Sequence, residues 1–459
     1  MNKETLSNVK CVYMIGIGGI SMSSLAKILF ERGIEVRGYD RNESALVKEM
    51  EAMGIRVWFT DDKEAFRGVD LICYTAAVGP EHPQMVLAKE SGAEIVSRAE
   101  LLGCIGSTYA NSVAVAGTHG KSTTSGMLSH IFLKAKNCDP TVIVGANIPE
   151  IGSTYRIGTD GNFIFEACEY KDSFLSFFPR IAVVLNVKLD HTDYFHSMEQ
   201  MIASFRWFLG NAGEDGVGIV NLDCKNSMSA SDGCKGKLLT FSASGNEKAN
   251  YYAKNVDLSD GFGKFDVYES GAYLLHAELS VPGIHNVANA VAAVAACRES
   301  GLEPEEIASG LHTYTGVSRR FEYIGSENGA RFFDDYAHHP DEIKATLNAA
   351  RAVAKKKLYC VFQPHNYSRL RDLFEDFALS FGDADELILT KLYAAREQAG
   401  NEVSSELLAK RLGAVYIDDM NDILPYLSEK VGIGDTVLIM GAGDIEKISE
   451  KFKKNRKTT

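Results

Sequence analysis

Short apolar runs ending in glycine or polar clusters recur along the chain, and stretches of helical period follow them. The clearest case is VAVAGTHGKSTTS, 113–125. Val113 to Ala116 reads as a buried strand, Gly117-Thr118-His119-Gly120 as a turn, and from Lys121 to Lys136 the residues Met127, Leu128, Ile131, Phe132 and Ala135 share one helical face. Residues 10–40 repeat the pattern: a strand Lys10 to Ile15, a glycine turn Gly16-Ile17-Gly18-Gly19-Ile20-Ser21, a helix Ser23 to Arg32, and a strand Glu35 to Tyr39 closing on Asp40. Further strands are expected at Arg56 to Phe59, Leu71 to Tyr74, Glu94 to Ser97, Asn162 to Glu166 and Ile181 to Asn186, with a first boundary within Gly103 to Asn111. Residues 213–280 alternate in short β-like stretches, and Pro282 to Asn289 open an alanine-rich helix reaching Cys297. The last region resumes the alternation: strands at Arg331 to Phe333, Lys357 to Phe362, Glu386 to Thr390 and Thr436 to Met440, helices from Asp341 and Arg369. Strands alternating with helices predict an α/β protein.

Length sharpens this picture. A chain of 459 residues predicts about three domains. A net charge of −13 argues against nucleic-acid or anionic-membrane partners, and any anionic ligand must be held by local cations. The first ten residues are polar, so no secretory signal is expected, and no apolar run is long enough to suggest a membrane span. The nine cysteines are scattered without a CxxC pair, which suits a reducing cytoplasm and argues against a disulfide scaffold or zinc site.

Strand, glycine turn and helix together form the context of a phosphate-binding loop. Turn amides and the open helix start face an anion, Lys121 adds a mobile charge, and the Ser122 hydroxyl can ligate Mg²⁺. The strict G-x-x-x-x-G-K-[ST] spelling fails, because Val115 stands where its first glycine belongs, so the loop is a shortened variant. A glycine turn before an ordinary helix is the alternative. The Gly16 to Ser21 turn is close to G-x-G-x-x-G, with Ser21 in the third glycine position and Asp40 as the acidic residue, and fits a diphosphate or ribose. NAD would satisfy it alone; with a second phosphate loop in the chain, a nucleotide-linked substrate fits better.

Ligands of open α/β sheets gather beyond the carboxyl ends of strands. That rule brings Glu166, Asp190 and His191 to the rim of Ser122, a donor set acceptable to Mg²⁺ although imidazole is a less usual ligand; the alternative is that they are solvated loop residues at strand ends. His285, Asn286 and Asn289 begin a helix, where they either bind a base or ribose or cap it. Thr313 to Arg320 joins two globular regions and ends in Arg319-Arg320, cations able to reach phosphate on closure or to lie in a solvated turn. Asp334-Asp335-Tyr336-Ala337-His338-His339-Pro340 and Gln363-Pro364-His365-Asn366-Tyr367-Ser368-Arg369 crowd two further strand ends.

With these residues the chain resembles the Mur ligase family over nearly its whole length: GIGGISMS (16–23), GTHGKST (117–123), FEACEY (165–170), NVKLDHTDYF (186–195), PGIHNVANA (282–290), TGVSRRFE (315–322), DDYAHHP (334–340), FQPHNYSR (362–369) and GAGDI (441–445) stand in the family's order. DDYAHHP and RRFE favour its alanine-adding branch. The resemblance implies a Rossmann-like domain for the UDP-sugar (1–107), a central P-loop mononucleotide-binding domain for ATP (108–314) and a Rossmann-like C-terminal domain for the amino acid (315–459). It implies ATP-dependent ligation of L-alanine to UDP-N-acetylmuramate through an acyl phosphate. The partners are then small molecules alone, without nucleic acid or membrane, in a cytoplasmic monomer or weak homodimer. A recycling ligase that attaches a preformed peptide is the alternative.

By the same correspondence Gly117, Thr118, His119, Gly120, Lys121, Ser122 and Thr123 cradle ATP with His285, Asn286, Asn289, Arg319 and Arg320. Ser122 and Glu166 hold a first Mg²⁺ and His191 serves a second; Gly16, Gly18, Gly19, Ile20, Ser21 and Asp40 meet the UDP-sugar; Tyr336, His338, His365 and Arg369 frame the amino acid. Lys121, His191, His338 and Arg369 are the expected catalytic residues. Three departures stand out: Asn366 where some members carry a second arginine, Lys188 where an acidic residue is common, and Ser122 in place of threonine.

Overall fold

The computed structural model describes residues 6–191, 194–395, 397 and 403–457, the last three by backbone only. The chain folds into two compact units, one built mainly from residues up to 242 with 292–306, the other mainly from 252–291 and 307–459.

The first unit holds two sheets. β1 (Cys11–Ile15), β2 (Glu35–Tyr39), β3 (Arg56–Trp58), β4 (Leu71–Tyr74) and β5 (Glu94–Ser97) form a parallel sheet in the order β3-β2-β1-β4-β5. Side chains alternate across it: Val12 and Met14 enter one apolar cluster, Tyr13 and Ile15 another on the opposite face. The second sheet is built from β6 (Asn111–Ala116), β7 (Thr141–Ile148), β8 (Ser153–Arg156), β9 (Asn162–Glu166), β10 (Ile181–Val184), β11 (Val217–Asn221) and β12 (Lys237–Ser242), ordered β12-β11-β10-β6-β9-β7-β8. It is parallel except at the β7–β8 edge. One cluster runs through both sheets, joining Val12, Leu71 and Leu102 to Ala114, Phe163, Phe174 and Phe205. Within it the helix Arg98–Gly106 lies so close to the 3₁₀ turn Tyr170–Ser176 that a Cβ on Gly103 would fall 1.8 Å from the Ser176 carbonyl oxygen. Only glycine fits there.

The second unit contains β13 (Tyr251–Asp257), β14 (Phe262–Glu269) and β15 (Ala272–Pro282), of which β14 and β15 pair antiparallel. It also contains a six-stranded sheet: β16 (Glu322–Glu327), β17 (Ala330–Asp335), β18 (Leu358–Phe362), β19 (Glu386–Thr390), β20 (Val415–Ile417) and β21 (Thr436–Met440), ordered β16-β17-β21-β18-β19-β20. Cys360, Phe362, Leu438 and Met440 face one apolar layer; Tyr359, Val361, Val437 and Ile439 face the other. Helices cover both faces, which explains why these strands read as unbroken apolar runs.

Among the described residues no helix is long and apolar enough to cross a membrane. Element bounds differ from those expected chiefly at helix starts: Ile20 instead of Ser23, Pro340 instead of Asp341, Tyr367 instead of Arg369. β10 stops at Val184, and the apolar strand before the phosphate loop begins earlier, at Asn111.

Candidate active site

β6 delivers the loop. Gly117 (φ +145°) leaves the strand and Gly120 (φ +88°) starts the helix Lys121–Lys134, both in backbone regions that favour glycine. Gly120 at the N-cap offers no side-chain cap to the first turn, as an anion site at a helix start requires. The loop is laced to the segment after β10. Asn186 accepts from the His119 amide and donates to its carbonyl, both at 2.9 Å, while Thr118 Oγ1 accepts from the Lys188 amide at 2.9 Å. Lys188, the departure in charge, thus serves the loop through its backbone.

Lys121 Nζ lies 2.6 Å from the Gly117 carbonyl and 2.9 Å from Glu169 Oε2. Burial opposes its charge, but Glu169, Cys168 and Glu166 outweigh burial and raise its pKa. Glu169 is fully buried and its Oε2 accepts no well-aligned hydrogen bond. His191 (φ +52°) places Nε2 3.9 Å from Glu169 Oε1 and its ring 4.7 Å from that of Tyr170. Ser122 and Thr123 are buried in the first helical turn, and Glu166 Oε1, at the end of β9, accepts from the Gly145 amide at 2.8 Å. Lys121, Ser122, Glu166, Asp190 and His191 therefore belong to one neighbourhood of strand ends. Sequence alone places Glu169 just past Glu166 and gives it no role. The signal is that spacing, which carries a second carboxylate beyond the strand end.

At the β1 end, Gly16 and Ile17 donate to the Tyr39 carbonyl, and the helix beginning at Ile20 after Gly19 has no side-chain cap. Asp40 is turned inward: Oδ2 accepts from the Gly18 amide at 2.9 Å and Oδ1 from Asn42. Arg98 donates to Ser21 Oγ at 3.0 Å.

The second unit gathers a different cluster. Burial lifts the Asp334 carboxyl to about 7, against the pull of Arg319, whose Nε is 3.7 Å away. Asp335, also raised by burial, accepts from the Phe321 and Ala337 amides and so ties down the loop. Arg319 donates to Glu446 and to the Gly441 carbonyl, each at 2.6 Å, both within its own unit. Arg319 and Arg320 both lie over the Tyr336 ring, at 5.0 and 5.2 Å.

His338 Nδ1 sits 2.9 Å from the Tyr336 carbonyl, which can only accept, so Nδ1 carries the proton and Nε2 is the basic atom of the neutral ring. The His338 and His365 rings are 6.0 Å apart. Burial, helped by the charges of His338 and Arg369, pushes His365 down to about 4. His339 is structural: it caps the helix Pro340–Val353 in a box completed by Glu342. Asn366 (φ +67°) starts the short helix holding Arg369. Of the three residues expected at ATP from 285–289, Asn286 donates to the Pro282 carbonyl at 2.8 Å and Asn289 donates to Asn286 Oδ1. Those two amides lock the start of the helix Ile284–Glu299, while His285 is exposed.

Known proteins share this organisation. Residues 11–110 match the Mur ligase family catalytic domain, 115–297 the Mur ligase middle domain, and 319–443 the Mur ligase glutamate ligase domain. A UDP-N-acetylmuramate–L-alanine ligase of Acetivibrio thermocellus is 41% identical, with 97% of this chain and 96% of the relative covered. One of Caldanaerobacter subterraneus is 42% identical over 98% of this chain and 99% of its own. A crystal structure of the UDP-N-acetylmuramate-alanine ligase of Thermotoga maritima superimposes with a TM-score of 0.77 at 26% identity, covering 97% of this chain and 99% of that one. A murein peptide ligase of Psychrobacter arcticus, at 21% identity and a TM-score of 0.66, shares the fold. The chain belongs to the Mur ligase family.

Proposed function

We infer that this chain joins L-alanine to the carboxylate of UDP-N-acetylmuramate at the expense of ATP, in the cytoplasm, for peptidoglycan precursor synthesis. The observation that carries the reading is the Lys121 loop, with Glu166, Glu169 and His191 at its rim, in a chain alignable end to end with alanine-adding ligases. The sugar-borne carboxylate attacks the γ-phosphorus of ATP, giving an acyl phosphate and ADP. The alanine amine then attacks the acyl carbon, and phosphate departs with the electrons of the broken C–O bond.

Each neighbourhood supports one part of that sequence. Two anions must meet, so fixed cations have to offset their repulsion. Lys121 is already desolvated and would exchange Glu169 and loop carbonyls for β- and γ-phosphate oxygens. The loop amides and the uncapped helix start would orient the triphosphate. The hydroxyl of Ser122, in the first turn after the loop, and the carboxylate of Glu166, at the end of the neighbouring strand, are oxygen donors of the kind a hard cation takes. Ser122, Glu166 and His191 would hold Mg²⁺, which when bound would neutralise charge on the transferring phosphoryl group. Arg369 suits the alanine carboxylate. His338 is the better acceptor for the amine proton, because a ring pushed to about 4, as His365 is, makes a weak base. We place the UDP-sugar on residues 1–107, ATP on 108–314 and alanine on 315–459.

Phosphate release measured with all substrates, and with each omitted in turn, tests the reading. Release should need ATP, the UDP-sugar and L-alanine together. Equal turnover with a preformed tripeptide would favour the recycling reaction, and absorbance change at 340 nm with NAD would favour an oxidoreductase.

A further inference from the structure

The turn that presents Glu169 is strained. Lys171 (φ +52°, ψ +36°) and Asp172 (φ +55°, ψ +24°) are consecutive left-handed residues inside the 3₁₀ segment Tyr170–Ser176, and neither is glycine. Side chains larger than glycine adopt that region singly and at a cost, so two in succession persist only where the surroundings over-determine them. Here the surroundings are explicit. The Asp172 carboxylate accepts from Tyr194 Oη at 2.6 Å on one oxygen and from Ser204 Oγ on the other. Ser204 belongs to the helix Met198–Gly210, whose Phe205 and Phe208 pack on Phe174 of the same turn. Tyr194 lies three residues after His191, and its amide donates to the His191 carbonyl at 2.8 Å. One carboxylate therefore ties together the Glu169 turn, the His191 loop and a core helix. What it holds is directly functional: Glu169 against Lys121, and the Tyr170 ring against His191.

We propose that Asp172 is a positioning residue for phosphoryl transfer, clamping the strained turn through Tyr194 and Ser204 so that Glu169 and His191 keep their places around Lys121. It touches no reacting atom and acts through those two residues. The proposal rests on reading the chain as an ATP-dependent ligase.

Four variants separate clamp from scaffold. Asp172→Gly removes the carboxylate but relieves the left-handed strain, Asp172→Ala removes it and keeps the strain, Asp172→Asn restores one acceptor in a residue tolerant of this backbone, and Tyr194→Phe removes a single donor. Steady-state kinetics and thermal melts are compared with the parent protein. Misplacing catalytic groups by a fraction of an ångström should lower kcat about tenfold or more in both the Gly and Ala variants. Asn and Tyr194→Phe should lie in between, with KM for the UDP-sugar unchanged in all four. Lower melting temperatures at parental kcat, or a kcat that tracks stability alone, would reduce Asp172 to a structural residue and overturn the proposal. If the parent itself releases no phosphate with ATP, UDP-sugar and L-alanine, the ligase reading fails first, and the two failures are thereby distinct.

Discussion

Lys121 illustrates how one charge can be stored for a ligand. Its ammonium is largely shielded against the buried Glu169 carboxylate, and an arriving triphosphate would replace that partner with little fresh desolvation of the lysine. Lys121→Ala should reduce ADP release by about 100- to 1,000-fold, the range for loss of a preorganised electrostatic contact. Arg369→Ala should raise KM for L-alanine about 10- to 100-fold with KM for ATP little changed, as expected for a charge-assisted bidentate contact. Equal effects on both constants would remove Arg369 from the alanine site. Asp334 makes a prediction about pH. Its folded-state pKa, about 7, lies above the ordinary 3.8, so the folded protein binds the extra proton between those values. The associated stability is complete below about 4 and is lost as pH rises through about 7. Asp334→Asn deletes this titration, so its melting temperature relative to the parent should climb from pH 4 to pH 8. His365, depressed to about 4, titrates with the opposite sign and is left in place in both proteins. A difference that stays flat across that range would count against a raised Asp334.

At the level of elements, the strands were legible because buried parallel strands are written as plain apolar runs; Leu71–Tyr74, Glu94–Ser97 and Asn162–Glu166 stand where the sequence put them. Helix starts were less so. Ile20 follows Gly19, which offers no side-chain cap for a reader to find, and Pro340 opens its helix behind a histidine cap in place of the usual hydroxyl or carboxamide. The turn at Tyr170–Ser176 was invisible, since left-handed lysine and aspartate contradict local preference and depend on Tyr194 and Ser204 from elsewhere in the chain. Asn286 and Asn289 likewise bond to their own helix start, a choice that spacing leaves open. The contact of the helix Arg98–Gly106 with that turn gives an element-scale test. Gly103→Ala would drive a methyl group into backbone, and overpacking of this kind should destabilise the protein by about 3 kcal/mol. Chemical denaturation would measure it; a neutral result would mean that helix and turn can part freely.

For the molecule as a whole, the first two sheets were expected as separate domains, and their family matches abut at residues 110 and 115. One apolar cluster nevertheless passes through both, and on that ground they should open as one cooperative body. Native-state hydrogen exchange should give the amides of β1 and β6 a common opening free energy. A β1 that opens alone, well before β6, would show the cluster to be only a contact. The sequence could not display this joint, because apolar residues such as Leu102, Cys104 and Phe177 look the same whether their partners are near or far in the chain. That continuity has a cost for anyone wishing to dissect the enzyme: a polypeptide severed between Ser107 and Ala110 would leave two fragments, each with an oily face that its missing half had kept dry. Those fragments would clump when made singly, and co-expression would be the route by which they find one another again.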